Sequence, residues 1–86
     1  MTSQLRRAAY SVPANIVEGC GRNTERDFLR FLDNALGSLR EVGYFIHLAR
    51  RLGYLDDHTA GDLHNHYDEA ARVLSGLISS LRQPHR

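Results

Sequence analysis

Residues 24–53 read TERDFLRFLDNALGSLREVGYFIHLARRLG, and the spacing of the apolar residues in this stretch decides the fold class. The residues of one series recur at intervals of four and three, which is the period of one face of a packed α-helix. They are Phe28, Leu32, Ala35, Leu39, Val42, Ile46 and Ala49. At about 1.5 Å per residue this helix would be about 43 Å long, longer than a small globular domain is wide. We therefore expect it to be the central helix of an all-α bundle.

Signals at both ends of this stretch predict a helix over residues 24–52. Thr24, with Asp27 three residues later, resembles a capping box in its acidic variant, and Gly53 is a typical residue to end a helix. Gly37 and Gly43 lie inside the helix, where each costs about 1 kcal/mol relative to alanine. Their presence predicts that a neighbouring backbone approaches closely at these positions.

An apolar series before the long helix predicts a first helix over about residues 3–19. Its members are Leu5, Ala9, Val12 and Ile16. Pro13 lies inside, and because the series continues past it we expect a kink and not a break. Gly19 and Gly21 are expected to end the helix in left-handed conformations.

A third helix is predicted over residues 57–82. Asp56 or Asp57 would cap its N-terminus, and Pro84 marks its end. Its apolar series is Leu63, Tyr67, Ala70, Leu74, Leu77 and Leu81. Three helices with such stripes predict one domain, residues 1–86, folded as an antiparallel helical bundle.

The central helix is apolar over more of its surface than one seam requires. A second strip contains Leu29, Phe31, Leu36, Phe45, Leu48 and Leu52. Three helices would leave part of this strip in water, and such a patch usually marks an interface. We therefore expect a homo-oligomer that Phe31→Asp separates into subunits, with candidate interface residues Leu29, Phe31, Phe45 and Leu48.

Charge is distributed unevenly, although the net charge is only +1. Residues 1–54 contain eight arginines and five acidic residues, whereas residues 55–86 contain three and five. The net value alone indicates no strongly electrostatic partner such as naked DNA. A single cysteine, no leader-like apolar run and no stretch near the roughly 20 apolar residues of a membrane span favour a cytoplasmic protein.

The arginine-rich half supplies candidates for contact with RNA phosphates, which need basic side chains along a face and no base-specific chemistry. The candidates are Arg6, Arg7, Arg22, Arg26 and Arg30. Arg26 and Arg30 share a helix face, and Arg22 joins them if the loop folds back. The alternative is that these arginines form ion pairs within the chain, with Glu18, Glu25, Asp33 and Glu41.

Polar residues at helical spacing on the first two helices predict an interhelical hydrogen-bond network, composed of Asn15, Glu18, Asn34, Ser38 and Glu41. A paired-carboxylate site of Glu18 with Glu41, holding a metal or acting as acid and base, is the less favoured alternative. No catalytic residue and no cofactor are predicted.

His58, Asp62 and His66, spaced four and four, could bind zinc or nickel. A solvated helix face with Asp-His pairs explains this row better, so no metal site is predicted. Cys20 has no sequence-local base, which favours an inert thiol.

Two segments resemble a known protein family. The first is SVPANIVEGCGR at residues 11–22, preceded by QLRRA at residues 4–8. The second comprises RFL at residues 30–32, ALGSLRE at residues 35–41 and LGYL at residues 52–55. Together they are similar to the signatures of the four-helix-bundle proteins encoded in intervening sequences of bacterial 23S ribosomal RNA genes.

The resemblance implies several further properties. That family includes the accessory protein of diversity-generating retroelements, a basic pentameric barrel that serves a reverse transcriptase and its RNA. A pentamer and an RNA or RNA-handling partner are therefore implied for this chain. Family members usually have a further helix upstream, so this chain would lack the family's first helix and expose the groove that this helix fills.

The function predicted from these observations is a non-enzymatic, oligomeric helical-bundle scaffold that binds structured RNA or an RNA-handling partner through its arginine-rich face. The alternative is a protein–protein interaction module with no nucleic-acid role.

Overall fold

The computed structural model describes residues 2–83, and within that range it contains three α-helices and no strand. The helices are α1 (Thr2–Cys20), α2 (Glu25–Arg51) and α3 (Asp57–Arg82). The predicted ranges differ from these by no more than one residue at any end. α1 runs through Pro13 without a break. The prediction of an all-helical chain is confirmed.

Side-chain caps fix the starts of α2 and α3. The hydroxyl oxygen of Thr24 accepts a hydrogen bond from the Asp27 amide at 3.1 Å. At the next helix, Oδ1 of Asp56 accepts one from the Thr59 amide at 2.7 Å, so Asp56 and not Asp57 is the cap. Each cap satisfies one of the amides that have no partner inside the helix.

Gly53 ends α2 as predicted. Its φ of 82° lies in the left-handed region, which costs residues with a Cβ atom conformational energy. Two hydrogen bonds close the turn, from the Gly53 amide to the Arg50 carbonyl at 3.1 Å and from the Tyr54 amide to the Ala49 carbonyl at 2.9 Å. This pair of bonds is the Schellman motif.

The prediction that left-handed glycines end α1 is wrong, because neither Gly19 nor Gly21 has a positive φ. The end of α1 instead tightens into a turn. The Gly21 amide donates to the Glu18 carbonyl at 3.2 Å, and the Arg22 amide donates to the Gly19 carbonyl at 3.1 Å. These bonds satisfy terminal carbonyls without a left-handed residue.

α2 is the helix that joins the other two. α2 packs against both neighbours, whereas among the described residues no Cα atom of α1 lies within 8 Å of a Cα atom of α3. The Cα atoms extend over 49 × 25 × 13 Å. The Cα atoms of a single helix span only about 5 Å across the helix axis. A Cα thickness of 13 Å therefore means that the three helices do not lie in one flat layer.

The core lies where α2 meets its two neighbours. Its buried cluster consists of Leu32, Ala35, Leu39, Leu74 and Ile78. The predicted apolar stripe of α2 is buried or half-buried along its whole length. In the second apolar strip of α2, Leu52 is mainly exposed, whereas the other members pack at least partly within the chain.

The predicted stripe of α3 is partly wrong. Leu63, Ala70 and Leu77 are exposed, whereas Ala60 and Ile78, which the prediction omitted, are buried. α3 is therefore apolar on two adjoining sides, and only one of them faces α2. α3 ends at Arg82, followed by the extended Gln83, and the predicted role of Pro84 lies outside the described residues.

The two glycines inside α2 have different surroundings. A Cβ atom at Gly43 would lie 2.6 Å from Cζ of Tyr67, so a neighbour does approach closely there, but it is a side chain of α3 and not the predicted backbone. At Gly37 a Cβ atom would meet nothing within 4 Å. The prediction of a close neighbour at Gly37 is therefore wrong.

Candidate functional site

Two arginines meet over one aromatic ring beside the turn between α1 and α2. The guanidinium carbon of Arg22 lies 4.7 Å from the centre of the Phe31 ring, and that of Arg30 lies 4.9 Å from it. Contacts of this kind are cation–π interactions. Because α1 ends in a tight turn, the loop folds back and places Arg22 beside α2, as the sequence analysis allowed.

Gly19 makes this arrangement sterically possible. It is buried, and a Cβ atom there would lie 2.9 Å from Cδ1 of Phe28 and 3.0 Å from Cβ of Phe31. The end of α1 therefore approaches α2 closely, with Phe31 beneath the turn. Sequence reasoning assigned Gly19 to a helix cap and missed this packing role.

Arg26 completes a basic surface, which we call the arginine surface and define as Arg22, Arg26 and Arg30. Arg26 and Arg30 are exposed and four residues apart on α2, so their side chains emerge from the same face. Within residues 2–83, Arg26 forms no ion pair. Nη2 of Arg22 contacts Oε2 of Glu18 at 2.9 Å, which offsets part of its charge.

The other two predicted RNA-contact arginines lie elsewhere. Arg6 and Arg7 are exposed near the start of α1. Arg7 lines a cleft of about 250 Å³ together with Ser11, Ser38, Glu41 and other residues. The structure thus places the five candidates in two groups, at opposite ends of α1.

Two further ion pairs of arginine lie within residues 2–83, and unlike the pair of Arg22 with Glu18 they are not pairings that the alternative interpretation predicted. Asp33 pairs with Arg82 across α2 and α3. Nη1 of Arg50 lies 3.5 Å from Oδ1 of Asp57. Because the residues in these pairs are substantially exposed, each contributes at most about 1 kcal/mol.

The structure assembles part of the predicted polar network. The Ser38 hydroxyl donates to the Ser11 hydroxyl at 2.8 Å, which joins α2 to α1. The amide nitrogen of Asn15 donates to the Ser11 carbonyl at 2.8 Å and to the Ser11 hydroxyl at 3.0 Å. Ser11 is therefore the centre of the network, although the sequence analysis omitted it.

Of the remaining members of the predicted network, Glu41 lines the same cleft as Ser11 and Ser38, whereas Glu18 lies at the other end of α1. Asn34 is exposed, and Glu18 pairs with Arg22. Glu18 is next to Gly19, at the end of α1 that contacts Phe28 and Phe31, whereas Glu41 shares the cleft of Arg7. The structure therefore does not assemble the alternative paired-carboxylate site.

The histidines of α3 form separate pairs with aspartates. Nε2 of His58 lies 3.5 Å from Oδ2 of Asp62, and Nε2 of His64 lies 3.3 Å from Oδ2 of Asp68. His66 lies on the side of α3 that faces α1. Over the described range, no group of three or more His, Cys, Asp or Glu side chains is arranged to hold a metal ion. Cys20 is exposed.

The four predicted interface residues on α2 are all half-buried within the chain. Leu29 packs against the core cluster, and Phe31 lies under the arginine surface. Phe45 lines the cleft of Arg7. Their role in self-association stays a prediction.

A larger apolar surface lies between α1 and α3. We call it the apolar groove. It has a volume of about 500 Å³ and is lined by Val12, Ile16, Leu39, His66, Glu69, Ala70, Val73, Leu74 and Leu77. Val73, which is 66% exposed, belongs to no predicted stripe. Val73 lies three residues after Ala70 and four before Leu77, and this helical spacing is the sequence pattern that could have placed it in the groove.

The arginine surface and the apolar groove lie on different sides of α2. Leu39 lines the groove, and Arg30 precedes it by nine residues, which corresponds to half a turn, about 180°, around an α-helix. The molecule therefore has a basic side and an apolar side. No helix in residues 2–83 combines the length and hydropathy that crossing a membrane requires.

Comparison with known proteins adds a family and a structural relative. The model of the 23S rRNA-intervening sequence protein family matches residues 1–76. No curated protein matches the chain significantly. A crystal structure of a protein of unknown function from Bacteroides thetaiotaomicron, a member of the S23 ribosomal protein family, is similar with a TM-score of 0.87. The two are 28% identical over 91% of this chain and 72% of that chain. The resemblance carried by residues 11–22 and 30–55 is thereby confirmed, and this chain belongs to the 23S rRNA-intervening sequence protein family.

Proposed function

We propose that this protein is a non-enzymatic scaffold of the cytoplasm, an antiparallel helical bundle that assembles from identical chains and contacts structured RNA through the arginine surface. The observation that carries the proposal is the convergence of Arg22 and Arg30 on the Phe31 ring, with Arg26 beside them. The name of the matching family, which refers to 23S ribosomal RNA genes, is consistent with an RNA context.

The chemistry of the arginine surface suits phosphate contact. Guanidinium groups are always charged and present planar pairs of donors that match phosphate oxygens. The Phe31 ring restricts two of the three side chains before any ligand arrives, so less side-chain entropy is lost on binding. Glu18 holds only Arg22, and Arg26 and Arg30 keep their donors available for a ligand.

Structured RNA is a better candidate ligand than single-stranded RNA. Binding of single strands commonly relies on exposed aromatic side chains that stack on bases. Phe31 is half-buried and its ring is engaged by two arginines, so it offers no free stacking face. Phosphate contact to a folded RNA requires only the arginines.

The test is titration of a labelled, folded RNA at about 50 and 200 mM salt. With a log-log slope of about −0.9 per phosphate, three contacts from one chain lower the affinity about fortyfold over this range. Six contacts from two chains lower it by more than about a thousandfold. Arg26→Ala should weaken binding and reduce the slope by about one.

Arg72→Ala is the matched control, because Arg72 is an exposed arginine on α3 that forms no ion pair within residues 2–83. We expect it to bind RNA like the wild type. Absence of RNA binding at low salt, or equal losses in the two variants, would contradict the proposed role of the arginine surface.

The second candidate function is a protein–protein interaction module with no nucleic-acid role. The apolar groove favours it, because a groove of about 500 Å³ lined mainly by aliphatic side chains suits the apolar face of a helix. Binding of this kind depends weakly on salt. A partner whose affinity is unchanged between the two salt concentrations, together with absence of RNA binding, would favour this alternative.

A further inference from the structure

We infer that a second phosphate-binding site for folded RNA lies between α2 and α3, in a cleft of about 390 Å³. We call it the serine–arginine cleft and define it by its polar lining, which consists of Asp33, Arg40, Ser75, Ser79 and Arg82. The inference rests on the proposed RNA contact of the arginine surface and extends that contact along α2 and onto α3.

The serine–arginine cleft opens on the same exposed side of α2 as the arginine surface. Arg40 is exposed and follows Arg26 by fourteen residues, which is nearly four full helical turns. The two side chains therefore emerge within about 40° of each other around the helix, about 21 Å apart along its axis. Because a nucleic acid repeats its phosphates every few ångströms, one folded RNA can contact both sites.

The surface between the two sites does not obstruct such a ligand. On this side of α2, Asp33 and Gly37 lie between Arg30 and Arg40. Gly37 is exposed, and its surroundings are open enough that a Cβ atom there would meet nothing within 4 Å. Asp33 forms an ion pair with Arg82, which offsets the negative charge that would repel a phosphate. The basic side of α2 therefore continues from Arg30 to Arg40.

Two guanidinium groups from different helices converge on the cleft. Arg40 forms no ion pair within residues 2–83, so its N–H donors are available to a ligand. Nη2 of Arg82 contacts Oδ2 of Asp33, which holds this guanidinium beside the cleft and leaves its other N–H donors unused by the pair. Two arginines and one aspartate give the polar lining a net charge of +1, which favours an anion.

Ser75 and Ser79 add hydroxyl donors from α3. They are four residues apart and exposed, so they share one face of the helix. Within the described part of the chain, neither hydroxyl forms a hydrogen bond. Serine hydroxyls and arginines are common donors to the phosphate oxygens of nucleic acids. The cleft therefore offers a phosphate both a charge and neutral donors, which the arginine surface does not combine.

The experiment titrates a labelled RNA hairpin with the full chain over a series of salt concentrations. Arg40→Ala should reduce the log-log slope by about 0.9, because one phosphate contact is lost. The double variant Ser75→Ala, Ser79→Ala should bind at least about threefold more weakly but keep the wild-type slope, because hydroxyl groups carry no charge. Arg72→Ala should bind like the wild type, because Arg72 is an exposed arginine of α3 that does not line the cleft.

Far-UV circular dichroism verifies that each variant is helical, as expected for alanine at exposed helix positions. Wild-type binding by Arg40→Ala or by the double serine variant, or an equal loss in Arg72→Ala, would overturn the inference. If Arg26→Ala still weakens binding in that case, the arginine surface stands without the cleft. A loss in Arg40→Ala and the double serine variant but not in Arg26→Ala would support the cleft and contradict the arginine surface. A wild type that binds no RNA at low salt would overturn both.

Discussion

Gly43 of α2 lies directly beneath the ring of Tyr67 of α3, so close that a Cβ atom at Gly43 would be 2.6 Å from Cζ and 2.7 Å from Cε1 of the tyrosine. The aromatic ring occupies the space that any other residue would require. This contact sets the spacing of the two helices in the half of α2 nearer to Gly53. The contact also explains why a glycine occurs inside a long helix, although the backbone flexibility of glycine destabilises a helix.

We predict that Gly43→Ala and Gly37→Ala change stability in different ways. Both substitutions gain about 1 kcal/mol of helix propensity. At Gly43 the added methyl group must displace Tyr67, and overpacking of this kind costs about 1–3 kcal/mol, whereas at Gly37 it meets open space. Denaturant unfolding should find Gly43→Ala less stable than Gly37→Ala by about 1–3 kcal/mol. Equal stabilities would show that Tyr67 moves aside without cost.

We predict that Asp56 makes stability depend on acid pH. The hydrogen bond from the Thr59 amide, with a further one from the Thr59 side chain, lowers the pKa of Asp56 from 3.8 in the folded state. A lowered folded pKa means that the stabilisation is complete above 3.8 and is lost as the pH falls through the folded-state pKa.

Asp56→Asn keeps a capping oxygen and removes the titrating group. Its loss of stability between about pH 5 and pH 2 should therefore be smaller than that of the wild type. The measurement is denaturant unfolding of both proteins across this range. An equal acid-induced loss in the two proteins would contradict the role assigned to the Asp56 cap.

We predict that Ser11 and Ser38 are energetically coupled. Their hydroxyls share a 2.8 Å hydrogen bond between α1 and α2, and Ser11 is held in turn by Asn15. A double-mutant cycle with Ser11→Ala and Ser38→Ala should give a coupling of about 0.5–1.5 kcal/mol. Asn34→Ala, at an exposed position of α2, serves as the control in a cycle with Ser11→Ala. A coupling no larger than that control would mean that packing alone joins α1 and α2 here.

We predict that Phe31→Leu weakens RNA binding without changing any charge. The substitution removes the ring that holds Arg22 and Arg30 while it preserves an apolar side chain under the turn. Each cation–π contact at an exposed site is worth about 0.5–1 kcal/mol, so loss of both should lower the affinity by about fivefold to thirtyfold. The salt dependence should stay that of the wild type, because the phosphate contacts are the same in number. An unchanged affinity would show that the ring does not organise the arginine surface.

Most of the fold follows from the sequence, because local signals agree with the packing. The series from Phe28 to Ala49, the Thr24 cap and Gly53 all predict the helix that the structure contains. The stripe of α3 was harder to predict because α3 is apolar on two adjoining sides. Periodicity cannot decide which side faces α2, since that choice depends on how the neighbouring helices are placed.

The candidate surfaces were less predictable, because they depend on contacts between residues distant in the sequence. Gly19 resembled a helix cap, and only its approach to Phe31 shows its role. Ser11 belonged to no predicted polar set, and only its hydrogen bond with Ser38 shows its role. The grouping of Arg22 with Arg26 and Arg30 was predicted conditionally, on the folding back of one loop.

The most direct test of the proposed RNA contact is the salt dependence of RNA affinity for the wild type and for a triple variant, Arg22→Ala, Arg26→Ala and Arg30→Ala. Each lost phosphate contact reduces the log-log slope by about 0.9, so the slope of the variant should be shallower by about 2.7 per chain in contact. A variant that binds the folded RNA with the wild-type affinity and slope would contradict the account.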